Sequence, residues 1–177
     1  MKKILIILLL CAGGLGLQAQ QKQEVLKIFW PTEYKWKIGS NQQNATQQMV
    51  EVVPGNETLN NWTILGSMLV LKEARRPLAQ IPKVLLAQMR KRAKDAKLMV
   101  IEQSQTDGYN WIMFRIQASS FIDSPKPESQ LYYVIQGKSA LFINFVAVKQ
   151  ASLSPLFLEK WAVIFKKSKI SLSPPAP

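Results

Sequence analysis

The hydrophobic and polar positions form their clearest pattern between residues 130 and 165. Two apolar runs, residues 131–135 and 140–148, flank residues 136–139, which include Gly137, and this arrangement predicts a β-hairpin. Side chains of a strand alternate between its two faces, and the second run is apolar on both. The residues on its two faces are Phe142, Val146 and Val148, and Leu141, Ile143 and Phe145. We therefore expect residues 140–148 to form a central strand that is covered on both sides.

Two segments have the periodicity of amphipathic helices. The first lies within residues 77–96, where Pro82 suits the first helical turn, and at about 100° per residue its apolar and basic residues fall on opposite sides. The apolar side contains Leu85, Leu86, Met89, Ala93 and Ala96, and the basic side contains Lys83, Arg90, Lys94 and Lys97. The second helix is predicted to begin at Pro155, because Ser154 can cap its N-terminus and an apolar stripe around Trp161 follows.

Shorter apolar or alternating segments predict the other strands. They are residues 24–30, 36–40, 49–53, 63–71, 97–103 and 109–117. Asp107-Gly108 predicts the turn between the last two strands, while the Gln/Asn-rich residues 41–48 and residues 123–129 are predicted to be loops. The predicted core tryptophans are Trp62, Trp111 and Trp161. Asn144, a lone polar residue in an apolar strand, is predicted to be a buried amide with a hydrogen-bond partner.

The first 19 residues are predicted to be a secretory signal of the bacterial type. Lys2 and Lys3 precede an apolar stretch, and Ala19 offers a cleavage site. The apolar core is shorter than the roughly 20 residues that span a bilayer, which disfavours an uncleaved membrane anchor. Lipid attachment at Cys11 is disfavoured because Leu10 stands where a small residue would be expected. We therefore expect a secreted or periplasmic protein that is cleaved after Ala19 and has no stable transmembrane anchor.

Composition limits the chemistry of the mature chain. Loss of Lys2 and Lys3 lowers the formal net charge from +12 to +10, so the domain would favour acidic partners unless the charge serves only solubility. The sequence has no histidine, and its one cysteine, Cys11, lies in the signal. The mature chain therefore has no disulfide, no Ser–His pair and no His or Cys for zinc. We expect one domain over residues 20–170, a disordered Pro-rich tail over residues 171–177, no metal and no cofactor.

One segment resembles a known family. Residues 51–63, EVVPGNETLNNWT, are similar to a segment of small secreted bacterial proteins with the PsbP-like fold. The turn at residues 136–138, the apolar strand after it and the C-terminal amphipathic helix fit the same pattern, so the resemblance covers about residues 25–170. This fold takes its name from the extrinsic PsbP subunit of photosystem II. It is shared by a Ran-binding nuclear import factor and by DcrB-type envelope lipoproteins.

The resemblance implies an α+β fold with a single domain. In it, an antiparallel sheet of about six or seven strands has helices packed on both faces, as an α/β/α sandwich. The resemblance implies no catalytic residues, since the characterised members are mainly binding or accessory proteins. One fold carries many functions, so the specific role does not follow from it.

Two groups of residues are candidate binding sites. A basic group on the first helix would contact a polyanion, such as an anionic glycan, a lipid headgroup or nucleic acid, or would be an ordinary solvated face. It consists of Lys83, Arg90, Lys91, Arg92 and Lys94. An aromatic group would form a platform for sugars or bases, or would pack edge strands against the nearer helix. It consists of Trp30, Tyr34 and Trp36.

Catalysis has little support in the sequence. No spacing pairs the carboxylates as a two-carboxylate site requires, and no glycine-rich loop for phosphate is present in the mature chain. The carboxylates considered are Glu51, Glu57, Glu73, Glu102, Asp95, Asp107 and Asp123. We expect a non-catalytic binding or accessory protein that acts on a protein or another envelope component, with the polyanion binder as the alternative. An apolar patch on a sheet edge or in residues 41–61 would favour a protein partner; the partner's identity and the oligomeric state stay open.

Overall fold

Nine strands and two α-helices make up the part of the chain that the computed structural model describes, residues 22–173. The strands are β1 (Gln23–Lys27), β2 (Lys37–Gln43), β3 (Gln47–Val53), β4 (Ile64–Lys72), β5 (Lys97–Thr106), β6 (Tyr109–Ala118), β7 (Glu128–Gln136), β8 (Ala140–Val148) and β9 (Lys169–Ser173). The helices are α1 (Ile81–Arg90), between β4 and β5, and α2 (Pro155–Lys166), between β8 and β9. The predicted signal, residues 1–19, lies outside the described residues.

The predicted hairpin, β7 and β8, lies in the middle of a seven-stranded antiparallel sheet. The strand order is β2-β3-β4-β8-β7-β6-β5, so β8 pairs with β4 on one side and with β7 on the other. Phe142 and Leu141, which point to opposite faces of β8, are both buried. The prediction of a central strand covered on both sides is therefore confirmed. A second antiparallel sheet contains only β1 and β9.

Each face of the seven-stranded sheet has its own hydrophobic core and its own helix. On one face α2 packs the fully buried Trp161 and Phe165 against side chains such as Met113, and the β1–β9 pair covers the neighbouring part. On the other face α1 and the turns after it pack against Ile112 and Phe114. The fold is thus a single, mostly β domain with a seven-stranded antiparallel sheet. It has one α-helix on each face and a second small sheet, and is less helical than the predicted sandwich.

The first helix is shorter than its periodicity predicted. It ends at Arg90, and Ala93 and Ala96 reach the core from the turns that follow. The backbone N–H groups of Arg92 and Ala93 donate to the carbonyl oxygen of Met89 (2.9 Å each), and Arg90 Nε donates to the carbonyl oxygen of Ala96 (3.1 Å). Turns that bury every third or fourth residue have the same apolar spacing as a helix. The hydrophobic pattern therefore predicted a helix that is longer than the one observed.

Three segments that were predicted to be irregular belong partly to strands, and in one of them, residues 123–129, only the last two residues do, because β7 begins at Glu128. Residues 41–48 contain the end of β2 and the start of β3, joined by a short turn in which Asn44 Oδ1 accepts hydrogen bonds from the backbone N–H groups of Thr46 and Gln47 (2.9 Å each). Residues 171–173, where the predicted tail begins, pair with β1, while residues 174–177 lie outside the described part. β2 is polar over most of its length and β9 leads into a Pro- and Ser-rich segment, so both lacked a strong strand signal.

The predicted core residues are confirmed with one exception. Trp111 and Trp161 are buried, and Asn144 Nδ2 donates a hydrogen bond to the carbonyl oxygen of Tyr133 (3.3 Å) within the core. Trp62, just before β4, is only half-buried, and Lys149 Nζ lies 3.8 Å from the centre of its ring. The prediction for Trp62 was wrong because one face of the indole lies under a lysine side chain instead of inside the core.

Candidate functional site

The three aromatic residues that were candidates for a ligand platform pack against α2. The ring centre of Trp30 lies 5.2 Å from that of Trp36 and 5.6 Å from that of Trp161, and the ring centres of Tyr34 and Trp36 are 5.0 Å apart. Lys160 of α2 lies over Tyr34, with Nζ 4.7 Å from the ring centre. The faces of these rings are therefore used within the fold, which favours packing over an open platform.

The five basic residues that were candidates for a polyanion site do not share one helix face. They are Lys83 within α1, Arg90 at its end, and Lys91, Arg92 and Lys94 after it. Arg90 is bonded to the backbone of Ala96, and Arg92 Nη2 lies 2.8 Å from Asp123 Oδ2 in an ion pair. The other three are exposed, and within residues 22–173 none of them forms an ion pair. The prediction of one basic helix face required a helix that continues to Lys94, but α1 ends at Arg90.

An apolar patch lies on β5, at one edge of the seven-stranded sheet. Met99, Val100 and Ile101 are 55%, 49% and 40% exposed, and we refer to these three residues as the β5 edge patch. β5 pairs with β6 on one side, and among the described strands none pairs with its other edge. Met99 pairs with Arg115 and Val100 with Phe114, so these two side chains lie on opposite faces of the sheet, and the patch presents apolar groups on both sides of the strand edge.

The opposite edge of the same sheet has a different composition. β2 is exposed along nearly all of its length, but Ile38 is its only aliphatic residue besides Gly39, and the rest is Lys, Ser, Asn and Gln. Both edge strands contain an irregularity in register, next to Ile38 in β2 and at Ile101 in β5. The two edges therefore differ in side chains, and only β5 presents consecutive apolar residues. This contrast could not be derived from the sequence, because it depends on which strands end up at the edges.

A groove of about 360 Å³ runs beside β1, on the face of the sheet that α2 also covers. Its wall is formed by residues 22–26, which include most of β1, and β9 contributes no lining residue. Its floor is formed by side chains of β3, β4 and β8, and Glu73 and Ser139 lie at one end. We call this feature the β1 groove.

The floor of the β1 groove consists of two rows of side chains that cross three strands. One row is Gln48, Val70 and Phe142, and the other is Val50, Met68 and Asn144, each on β3, β4 and β8 in that order. The rows are separated by two residues along each strand, a distance of about 6.6 Å. Each row thus combines two apolar side chains with one amide. Lys72, which pairs with Ala140, continues the floor towards Glu73.

The carboxylate of Glu24 joins β1 to the turn between β7 and β8. It is only 8% exposed, and it accepts hydrogen bonds from the backbone N–H of Lys138 (3.0 Å) and from the backbone N–H and hydroxyl of Ser139 (2.7 and 2.9 Å). Gly137 permits this approach, since a Cβ there would lie 2.5 Å from Glu24 Oε2. Glu24 therefore holds the wall of the β1 groove against its floor.

The charge of Glu24 is maintained by these hydrogen bonds. Burial raises the pKa of Glu24, but the hydrogen bonds from Ser139 and Lys138 outweigh burial and leave the pKa below its ordinary value of 4.5. Burial and the nearby Glu24 charge raise the pKa of Tyr109 above 10.0. Glu24 is not among the residues that the sequence singles out, although it shares a period-two face with Leu26 and Ile28, which are buried. A carboxylate on a predicted buried face would have indicated a residue with specific hydrogen-bond partners.

The remaining carboxylates do not assemble into a catalytic or metal site. Within residues 22–173, no three His, Cys, Asp or Glu side chains come together as metal ligands could. Glu57 accepts hydrogen bonds from the backbone N–H and hydroxyl of Thr63 (2.8 and 2.6 Å), so two residues of the segment that resembles PsbP-like proteins stabilise the loop before β4. Glu102 pairs with Lys166 of α2. Asp95 accepts a hydrogen bond from the backbone N–H of Ser119 (2.8 Å), and Asp123 pairs with Arg92, so four of the seven carboxylates considered for catalysis have structural partners.

Comparison with known proteins identifies distant similarity of structure only. No protein-family model matches the chain, and no curated protein is similar to it. One similar solved structure is PA94, a protein of unknown function from Pseudomonas aeruginosa, with a TM-score of 0.39, 12% identity, and coverage of 77% of this chain and 87% of that one. Another is LpqN of Mycobacterium tuberculosis, described as involved in cell envelope biogenesis, with a TM-score of 0.44, 11% identity and 87% coverage of both chains. Similarity at this level does not establish the PsbP-like family for this chain.

Proposed function

We propose that this chain is a non-catalytic binding protein of the secreted or periplasmic space, and that it binds a protein partner through the β5 edge patch. The observation that carries the proposal is the exposure of three consecutive apolar residues on a strand whose outer edge has no partner among the described residues. An apolar patch on a sheet edge is the feature that distinguishes a protein partner from a polyanion in the sequence-based hypotheses.

An open apolar edge is costly for a sheet. Exposed apolar edge strands promote aggregation, and proteins usually protect them with charged or polar residues, as β2 does here. A partner strand added to β5 would satisfy the backbone N–H and C=O groups of the edge and cover the β5 edge patch. Full burial of such a side chain contributes about 1.5–3 kcal/mol, and since these three are already about half-buried, covering the rest contributes about half of that for each.

The location and the absence of catalysis rest on separate support. The predicted signal at residues 1–19 supports export. Neither described α-helix has the length and apolar character that crossing a bilayer requires. The lack of histidine and the dispersed carboxylates favour binding over catalysis.

Site-specific photo-cross-linking in the producing cell tests the proposal. A photoreactive amino acid replaces Val100 in the β5 edge patch, and in a matched control it replaces Ile38, which is 64% exposed on the opposite edge. We expect a discrete cross-linked protein from position 100 that is absent from position 38 and is lost when Met99 and Ile101 are also changed to lysine. The same products at both positions, or no product at position 100, would contradict the proposal.

The second candidate function is electrostatic binding of a polyanion by the basic residues around the end of α1. The observation in its favour is that Lys83, Lys91 and Lys94 are exposed and form no ion pair within residues 22–173. The chain is also strongly basic, with a formal net charge of +12. Binding of this kind would weaken steeply as salt increases, because counterions compete for the polyanion.

A further inference from the structure

We propose that the partner strand that adds to β5 carries an aspartate or glutamate that pairs with Arg115 of β6, so that Arg115 selects an acidic segment of the partner protein. This inference rests on the proposed function and names the chemistry of the partner. Arg115 lies one strand inside the open edge of the sheet and directly opposite Met99 of the β5 edge patch.

Arg115 and Met99 share the face of the sheet that α2 covers. Met113, two residues before Arg115, and Leu131, opposite Arg115 on β7, both belong to the core beneath α2. Arg115 Nη2 lies 3.1 Å from Met99 Sδ, so the guanidinium extends over the side chain of Met99 towards the open edge. An acidic side chain on a strand added beside Met99 would therefore meet this guanidinium.

No carboxylate within residues 22–173 forms an ion pair with Arg115. Glu102, the carboxylate of β5, pairs with Lys166 of α2. Glu159, the carboxylate of α2 itself, is exposed and pairs with no cation in the described part of the chain. Arg115 is thus a cation without a paired carboxylate on β5 or on the helix that covers this face.

Two buried N–H donors on this face of β6 have no acceptor in the described part of the chain. One is Arg115 Nε, and the other is Nε2 of Gln117, two residues further along the same face. The sulfur of Met99, which contacts the other end of the Arg115 guanidinium, is a weak acceptor. Buried donors in folded proteins are almost always paired, so two unpaired donors on neighbouring side chains favour an acceptor supplied by a binding partner.

Addition of a strand to β5 would remove water from the guanidinium of Arg115. The partner residue opposite Met99 projects its side chain from the same face, with its Cβ about 5 Å from that of Met99. A charge that is covered without a counterion weakens binding strongly, whereas a carboxylate can accept two parallel hydrogen bonds from the planar guanidinium. Binding at β5 therefore favours a partner segment with an acidic residue at or next to this position.

Photo-cross-linking from position 100 in variants of Arg115 tests the inference. The reporter leaves the contact between Arg115 and Met99 in place, because Val100 points to the opposite face of the sheet. The product should fall about tenfold or more in Arg115→Met and Arg115→Glu, and less in Arg115→Lys, which keeps the charge but loses the planar group. Lys37→Met, at an exposed position on the opposite edge strand, is the matched control and should cross-link as the wild type does.

A charge exchange then shows whether the carboxylate pairs with Arg115. Mass spectrometry of the product locates the partner segment, and we expect an aspartate or glutamate within about two residues of the cross-linked one. Changing that residue to arginine should abolish capture by the wild type and restore capture by Arg115→Glu. A variant that loses binding only because it folds poorly would not be rescued in this way.

The outcomes separate this inference from the function on which it rests. Wild-type amounts of product in both Arg115→Met and Arg115→Glu, or a partner segment without a carboxylate, would overturn the inference and leave the β5 edge patch as the binding surface. No product from position 100 in the wild type would overturn both. Cross-linking to β5 of a second copy of this chain would overturn the inference as well, because the one carboxylate of that strand, Glu102, pairs with Lys166.

Discussion

Glu24 is the side chain that joins β1 to the turn between β7 and β8. Its carboxylate receives three hydrogen bonds from the β7–β8 turn, and two of these come from backbone N–H groups. Hydrogen bonds to a charged group contribute about 1.5–3 kcal/mol, more than neutral ones. The contact joins residues that are more than 100 positions apart in the chain, since Glu24 and Ser139 are separated by 115 residues. Its loss would loosen the wall of the β1 groove without removing any of the floor.

The substitution Glu24→Gln should lower the free energy of unfolding by about 2 kcal/mol at pH 7, because a neutral amide accepts weaker hydrogen bonds from the turn. The pKa of Glu24 is below 4.5 in the folded protein, so its stabilising contribution is complete above pH 4.5 and is lost as the pH falls through the lower folded-state pKa. Urea unfolding from pH 7 down to pH 3 measures this. The difference between wild type and variant should shrink over the acidic part of the range.

The control for this prediction is Glu159→Gln, on the exposed side of α2. It should change the unfolding free energy by only a few tenths of a kcal/mol, as surface substitutions usually do. A difference between wild type and Glu24→Gln that stays constant down to pH 3 would show that the charge of Glu24 is not what the turn stabilises.

At the scale of elements, α2 is specified by the residues at its N-terminus and by the apolar side chains that it packs against the sheet. Ser154 Oγ accepts a hydrogen bond from the backbone N–H of Phe157 (3.2 Å), and Pro155 occupies the first turn. Trp161 and Phe165 then bury the apolar stripe against the sheet. The sequence predicted this helix correctly because cap, proline and stripe lie within a few residues of one another.

The substitution Ser154→Ala should therefore destabilise the protein by about 1 kcal/mol, since the N–H of Phe157 loses its acceptor. Ser152→Ala is the matched control, because Ser152 is exposed and lies just outside the helix. Chemical denaturation of both variants measures the effect. Equal stability of the two variants would mean that the cap does not stabilise α2.

Local patterns predicted some elements better than others. The hairpin at residues 131–148 was correctly predicted from two apolar runs about a turn, and the Asp107-Gly108 turn forms with positive φ at both residues. The end of α1 and most of β2 were not correctly predicted. In β2 both faces are exposed, so neither face requires apolar side chains. The alternation of apolar and polar residues that would identify the strand is therefore absent. After α1, the buried Ala93 and Ala96 lie in turns but continue the spacing of apolar residues that is typical of a helix.

At the scale of the whole molecule, the candidate sites depend on contacts that no local pattern contains. The β5 edge patch exists because strand order leaves β5 at the end of the sheet, and the β1 groove exists because β1 lies beside side chains of β3, β4 and β8. The sequence indicated residues 97–103 as a strand but could not place it at an edge. It proposed sites from composition instead, the basic residues near Arg90 and the aromatic residues near Trp36, and these residues are dispersed or packed internally.

The net charge of the whole molecule can also produce binding to polyanions. If the residues after α1 form a specific polyanion site, Lys91→Glu with Lys94→Glu should abolish retention on heparin and anionic liposomes at physiological salt. The control pair, Lys167→Glu with Lys169→Glu, is also exposed and should then have little effect. Equal weakening by the two pairs, with retention lost near physiological salt, would indicate general basicity and contradict the second candidate function.

The most direct test of binding through the β5 edge patch is hydrogen exchange of the protein alone and in complex with the protein captured at position 100. A strand added to β5 should slow exchange of backbone amides on the outer edge of β5, while the amides of β2 exchange as before. In Val100→Lys the complex should weaken at least tenfold and the protection should be lost. Protection confined to β2, to α1 or to the β1 groove, with β5 unchanged, would contradict binding through the β5 edge patch.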